Sequence, residues 1–156
     1  MDFEFSNGTI TKYTGSDTHV IIPDTINGQR VTAIGEMAFD SFKKYSSLTS
    51  VNIPSSVTTI GDHAFSHCGN LSSVNIPSSV ITIGNSAFCY CTSLTSVNIP
   101  LGVTTIEMKA FAFCDSLTSV RIPSSVTTIG KDAFALCQSL DYTSREAIQR
   151  INPEAC

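Results

Sequence analysis

Six cysteines and three histidines hold most of this chain's capacity for metal, redox or acid–base chemistry. Cys68, Cys91, Cys114 and Cys137 fall 23 residues apart, so a structure that repeats with the chain stacks them in one column. Neighbouring thiols would then stand about 5 Å apart, near disulfide geometry. The column also flanks a repeating phenylalanine (Phe65, Phe88, Phe111, Phe134), where cysteine serves as a small hydrophobe. Buried thiols are the expected state, with disulfides as the alternative. Cys89-Tyr90-Cys91, with His67 and Cys68, could be drawn as a zinc site, but the usual four-ligand spacing is missing and alternation turns His67 and Tyr90 away from the cysteine columns. No metal or cofactor is expected.

The histidines fare no better as catalysts. His63 aligns with Ser86, Lys109 and Asp132 in a variable, solvated column, and His67 aligns with Tyr90, Phe113 and Leu136 in one suited to half-buried packing. A general base needs a positioned partner and a pocket. Columns of like residues on a shallow surface supply neither, so no catalytic residue is assigned and no enzymatic activity is expected.

The polar residues that could bind rather than react form a second set. Ser50, Ser73, Ser96 and Ser119 make one column, and Asn52, Asn75, Asn98 and Arg121 make the next. Stacked asparagines form amide ladders in repeated sheets, which accounts for the repetition, and the same strip can recognise a partner. Arg121 breaks the asparagine series beside Asn98, and arginine is enriched among residues that dominate binding energy.

The elements that must position these columns follow from the period. Leu48, Leu71, Leu94, Leu117 and Leu140 are each 23 residues apart, as are Val51, Val74, Val97 and Val120. A fixed period of this length with a short strand per unit is the mark of a solenoid. In the unit starting at Leu48, Val51 and Ile53 point inward while Ser50 and Asn52 point outward on a strand expected to be concave. Pro54 ends the strand, Val57 and Ile60 face inward on the return, Gly61 supplies a turn, and Phe65 is the largest core plug. One unit buries too little to fold alone, so its stability must come from its neighbours.

The ends depart from the pattern. Asn7-Gly8 between alternating segments predicts a two-residue hairpin with Phe5 opposite Ile10. The stretch from His19 to Ser47 holds a "VIIP" strand and extra residues, expected as exposed loops around Asn27-Gly28 and Lys43-Lys44-Tyr45. Thr143 with Glu146 reads as a capping box opening a short helix with Ala147, Ile148 and Ile151 on one face. The resulting layout is a single domain: an N-terminal cap over 1–18, an atypical first repeat over 19–47, four full repeats over 48–139 and a C-terminal cap over 140–156.

Composition removes several function classes. Charged residues are 14% with a net charge of −4, and serine and threonine together number 40. Phosphate-backbone binding calls for clustered basic residues, and the longest basic run is Lys43-Lys44, so nucleic acid is not an expected partner. No apolar stretch is long enough to span a membrane, and "MDFEFSNGTI" has neither the basic nor the apolar region of an export signal. Asn7-Gly8-Thr9 and Asn70-Leu71-Ser72 match the glycosylation triplet, a pattern common by chance.

The unit "LTSVNIPSSVTTIGDHAFSHCGN" and the entry segment "ITKYTGSDTHVIIPDTINGQRVTAIGEMAF" resemble the BspA-like class of leucine-rich repeats. The "IPxxVxxIGxxAFxxC" motif recurs four times, with Glu107 in place of one glycine. The resemblance implies a β-rich leucine-rich-repeat solenoid: a right-handed, α/β-type superhelix with short strands and few helices, an N-terminal β-hairpin cap and a short C-terminal helix. It further implies a non-enzymatic surface or secreted protein of a bacterium or protist, an adhesin-type module that binds a host or cell-surface protein. Ser50, Asn52, Ser73, Asn75, Ser96, Asn98, Ser119 and Arg121 are the expected binding residues. A structural spacer, or self-association through the solenoid ends, is the alternative.

Overall fold

The computed structural model describes residues 2–41 and 47–156; the expected loop at Lys43-Lys44-Tyr45 lies outside the described residues. The chain coils through strands β1 (Phe3–Ser6), β2 (Thr9–Tyr13), β3 (His19–Ile21), β4 (Thr25–Ile26), β5 (Gln29–Arg30), β6 (Ala33–Ile34) and β7 (Ser50–Asn52). It continues through β8 (Thr59–Ile60), β9 (Ser73–Asn75), β10 (Thr82–Ile83), β11 (Ser96–Asn98), β12 (Thr105–Ile106), β13 (Ser119–Arg121) and β14 (Thr128–Ile129), then helix α1 (Tyr142–Ile151) and a 3-10 turn (Pro153–Ala155). It is a β-solenoid of about five turns closed by one C-terminal helix.

Each coil has three faces. On the first, the repeated Ser-Val-Asn strands pair in parallel, with Val51 opposite Val20 and Val74. The second face was not foreseen. Two-residue strands, Ala33-Ile34 followed by four of Thr-Ile, pair in register, Ile34, Ile60, Ile83, Ile106 and Ile129 in succession, and build the largest sheet, β1-β2-β6-β8-β10-β12-β14. The Ser-Val-Asn face instead divides into β3-β7-β9 and β11-β13.

The third face has no strands, yet it is hydrogen-bonded from coil to coil. Met37, His63, Ser86, Lys109 and Asp132 have φ of 53–57°, and His67, Tyr90, Phe113 and Leu136 have φ of 58–61°. Side chains other than glycine resist this region at a cost of about 1–2 kcal/mol each. The offset comes from the next coil: His63 N–H donates to Asn85 O at 2.8 Å, Phe65 N–H to Ala87 O at 2.7 Å and His67 N–H to Cys89 O at 2.8 Å. Every second N–H thus finds a carbonyl one unit on.

Inside, Val57, Ile60, Ala64, Phe65 and Leu71 are fully buried, as are their counterparts in the next two units. The rings of Tyr13, Phe39, Phe65, Phe88, Phe111 and Phe134 stack in one unbroken column at centroid spacings of 4.8–5.2 Å. Gly61 lies where coils touch, since a Cβ there would stand 2.9 Å from Ile34 O.

Both ends imitate a further coil. At the N-terminus Phe5 pairs with Ile10 across the Asn7-Gly8 turn, whose φ values of 49° and 80° are those of a twist-matched hairpin. Strand β2 then takes a Thr-Ile position, Ile10 opposite Ile34. Asn27-Gly28, expected as an exposed loop, is likewise a tight turn with φ of 53° and 77° joining β4 to β5. At the C-terminus the helix cap differs from expectation: Asp141, not Thr143, is the N-cap, accepting from Ser144 N–H at 2.7 Å. Hydrogen bonding from the Ser144 hydroxyl, and then from its N–H, holds the Asp141 carboxyl below its ordinary pKa. Beyond the helix, Glu154 O and Ala155 O accept from Asp132 N–H and Phe134 N–H at 2.8 and 2.7 Å, and Asn152 Nδ2 donates to Ile129 O at 2.9 Å. Asn152 to Cys156 therefore occupy the places of a sixth coil's turn.

Candidate functional site

The cysteine column has a structural use. Cys68, Cys91, Cys114 and Cys137 are buried thiols. Each Sγ donates to the carbonyl of a phenylalanine in the preceding coil: Cys68 to Phe39, Cys91 to Phe65 and Cys114 to Phe88 at 3.2 Å, and Cys137 to Phe111 at 3.1 Å. Thiols here are both apolar filler and donor. Burial pushes the Cys91 thiol well above its ordinary pKa, and burial likewise raises Cys89 and Cys156. A neutral thiol is a poor nucleophile, so Cys91 is unreactive, whereas the hydrogen bond with Cys114 lowers the pKa of the Cys137 thiol at the C-terminal end of the column. Among the described residues no group of three or more His, Cys, Asp or Glu side chains is placed to hold a metal.

His67 packs outward on the third face. Its ring stacks on Tyr90 at 4.9 Å, and Tyr90 on Phe113 at 4.3 Å. Its Nδ1 lies 2.9 Å from Ser66 Oγ and 3.6 Å from Asp40 Oδ1. The left-handed backbone at these positions aims the rings out while the cysteines beside them stay inside. His19 sits on the strand face, its Nδ1 2.6 Å from Ser50 Oγ.

The eight expected binding residues lie on the Ser-Val-Asn strands. Registers place Ser50 beside Ser73, Asn52 beside Asn75, Ser96 beside Ser119 and Asn98 beside Arg121. All are exposed except Ser50, which is half-buried under His19. The expected amide ladder is one step long: Asn75 Nδ2 donates to Asn52 Oδ1 at 2.8 Å. It does not continue, because the sheet itself breaks between β9 and β11. Asn98 and Arg121 therefore have side-chain donors with no partner among the described residues. The backbone beside this face is held by hydroxyls: Thr49, Ser72 and Thr118 each donate to the carbonyl of Thr18, Thr49 and Thr95 one coil back, at 2.9, 3.2 and 3.1 Å.

Helix α1 gives this face a wall. The Ser144 hydroxyl, buried, accepts from Val120 N–H at 3.0 Å, so the helix seals the open edge of β13 where another strand would pair. Arg145 fastens it further, donating to Leu140 O at 3.0 Å and Cys137 O at 2.7 Å. The result is a groove of about 440 Å³ between Ser96, Asn98, Ser119 and Arg121 on the strands and Thr143 and Ala147 on the helix. The sequence showed the columns and the helix but not that they meet. A second cleft, of about 350 Å³, lies at the N-terminal end against Phe3, Tyr13, Asp17, His19 and Ile21.

Among the described residues no helix is long and apolar enough to cross a membrane. Residues 9–141 match, in six copies, the pattern of the BspA type leucine-rich repeat region. Solved structures resemble the chain at more than 30% identity. A leucine-rich repeat protein from Bacteroides ovatus is 35% identical, with a TM-score of 0.74 over 89% of this chain and 38% of its own. A leucine-rich cell surface protein from Faecalibacterium prausnitzii is 33% identical, with a TM-score of 0.53 over 85% and 48%. A leucine-rich repeat protein from Bacteroides capillosus is 31% identical, with a TM-score of 0.54 over 85% and 82%. This chain thus spans less than half the length of the first two. No curated protein matches it.

Proposed function

Since this chain belongs to the BspA-type leucine-rich-repeat family, we propose that it is a non-enzymatic protein-binding module, used in adhesion at a cell surface or after secretion. The observation that carries the reading is the outward row of half-buried Ser50 and exposed Asn52, Ser73, Asn75, Ser96, Asn98, Ser119 and Arg121, held on the parallel strands and flanked by the groove at α1. We take this row as the concave side of a coil that winds right-handed, as crossovers between parallel strands do in nearly all cases. Likeness to a leucine-rich cell surface protein supports the location. No catalytic role is proposed, because none of the polar columns supplies an acid, a base and a pocket together.

Area sets the strength of binding. Five strands of three residues, at roughly 4.8 Å between strands and 3.3 Å per residue, expose on the order of 250 Å². A standard interface takes about 800 Å² per partner. One copy should bind a protein partner weakly, and an array should gain by avidity, by about 10²–10⁴. The test is retention of host-cell or matrix proteins on beads that carry many copies, against the monomer in solution, with the Asn98→Ala, Arg121→Ala double variant as control. Array retention that the variant lowers supports the module. Retention unchanged by the variant would move the site to another face, and no retention by the array at all would favour a spacer.

A further inference from the structure

Resting on the reading of this face as a binding surface, we propose that the groove between β13 and α1 is a seat for a carboxylate side chain, Asp or Glu, presented by an extended segment of a protein partner. The charge pattern assigns the chemistry. Arg121 is the one ionisable residue among those that line the groove, and no acidic side chain lines it. Its guanidinium has no hydrogen bond or ion pair among the described residues, whereas the other helix-side arginines are engaged, Arg145 with two carbonyls and Arg150 with Glu146 at 3.1 Å. Asn98 stands beside it in parallel register with its amide likewise unengaged. The contrast with the neighbouring pair is direct: Asn75 and Asn52 satisfy each other at 2.8 Å, while the break between β9 and β11 ends that ladder before Asn98. Two adjacent donors, one charged, face a groove lined by the hydroxyls of Ser96, Ser119 and Thr143.

A planar guanidinium with an amide at its side matches the two oxygens of a carboxylate, and charge-assisted pairing is about twice as strong as a neutral hydrogen bond. The apolar floor favours a peptide over a free acid. Val97 and Val120 are each 5% exposed beneath the polar row, and Ile122 and Ala147 flank it, so residues on either side of the carboxylate have apolar surface to cover. The frame is fixed by the Ser144 to Val120 bond, which holds the helix wall at its distance from β13.

The test is a titration of ¹⁵N-labelled protein, followed by amide shifts, with acetyl-Val-Glu-Val-amide to about 10 mM, a range that detects millimolar affinity. Shifts should appear at Ser96, Asn98, Ser119, Arg121, Thr143 and Ala147. Acetyl-Val-Gln-Val-amide should bind about tenfold more weakly or not at all, and added salt should weaken only the Glu peptide. Arg121→Gln should remove the Glu preference while the rest of the spectrum is unchanged, and Arg121→Lys should keep part of it. Equal response to the two peptides, response confined to the N-terminal cleft, or none in the groove would each overturn the assignment. Glucuronate shifting the groove amides when the peptide does not would assign the seat to a sugar acid and overturn the peptide. If the peptide fails here and the bead array still captures partners, the carboxylate seat falls and the binding module stands. If the groove responds and the array captures nothing, the seat stands and the adhesive role falls.

Discussion

Replacing Phe88 by leucine tests whether the solenoid is stabilised coil by coil. Phe88 is fully buried, and its ring stacks on Phe65 and on Phe111 at 5.2 Å each, with planes within 5° of parallel. Leucine keeps most of the apolar volume and loses both stacks. Each aromatic pair is worth about 0.5–1.5 kcal/mol beyond burial, so Phe88→Leu should cost about 1–3 kcal/mol from two pairs. Among the described residues Phe134 has one ring neighbour, Phe111 at 5.2 Å, and it faces the cap on its other side. Phe134→Leu should cost about half as much. The same counting governs double variants. Phe88→Leu with Phe111→Leu removes their shared stack once, so the pair should cost less than the two single changes added, by about 0.5–1.5 kcal/mol. Phe65→Leu with Phe134→Leu, three ladder steps apart, should be additive within about 0.5 kcal/mol. Urea unfolding with an unchanged slope is the assay. Equal costs at Phe88 and Phe134, or strict additivity for the adjacent pair, would refute nearest-neighbour stacking as the source of stability.

Native protein should resist alkylation at Cys68, Cys91, Cys114 and Cys137, and denatured, unreduced protein should take one label on each by intact mass; a denatured column that stays unlabelled would mean disulfides. The raised pKa of Cys91 gives a pH dependence of definite sign. Below the thiol's ordinary value of 9.0 its contribution is fully present, and as pH rises above that value the unfolded chain loses the proton while the folded chain keeps it. Melting temperature should fall through that alkaline range, and less steeply in Cys91→Ala; identical slopes would contradict burial of a neutral thiol. Ser144→Ala leaves Val120 N–H buried without its acceptor and should cost about 1–3 kcal/mol in urea unfolding. Deleting residues 141–156 uncovers β13 and strips the carbonyls that meet Asp132 and Phe134, and a bare edge invites pairing, so light scattering should show dimers or aggregates; a monomer with unchanged melting would show that the segment is not a cap.

The repeating sequence by itself determined the period, the inward columns of Val57, Ile60 and Phe65, the hairpin at Asn7-Gly8 and the outward row from Ser50 to Arg121, because each rests on local alternation or on identity at a fixed interval. The Thr-Ile sheet was not legible in that way. A two-residue strand has no local signature and exists only because its neighbours lie a full coil away, as Ile60 lies beside Ile34 and Ile83. The left-handed backbones at His63 and His67 are of the same kind: nothing in a histidine asks for that conformation, and the carbonyls of Asn85 and Cys89 in the next coil stabilise it. Capping moved from Thr143 to Asp141 because Ser144 is held by Val120, which sets where the helix can begin. The groove is the plainest case. Asn98 and Arg121 are visible in the sequence as the end of an asparagine series, but only tertiary structure breaks the sheet ahead of them and brings Thr143 and Ala147 alongside. Long-range hydrogen bonds decide those positions, and they join residues that no local pattern connects.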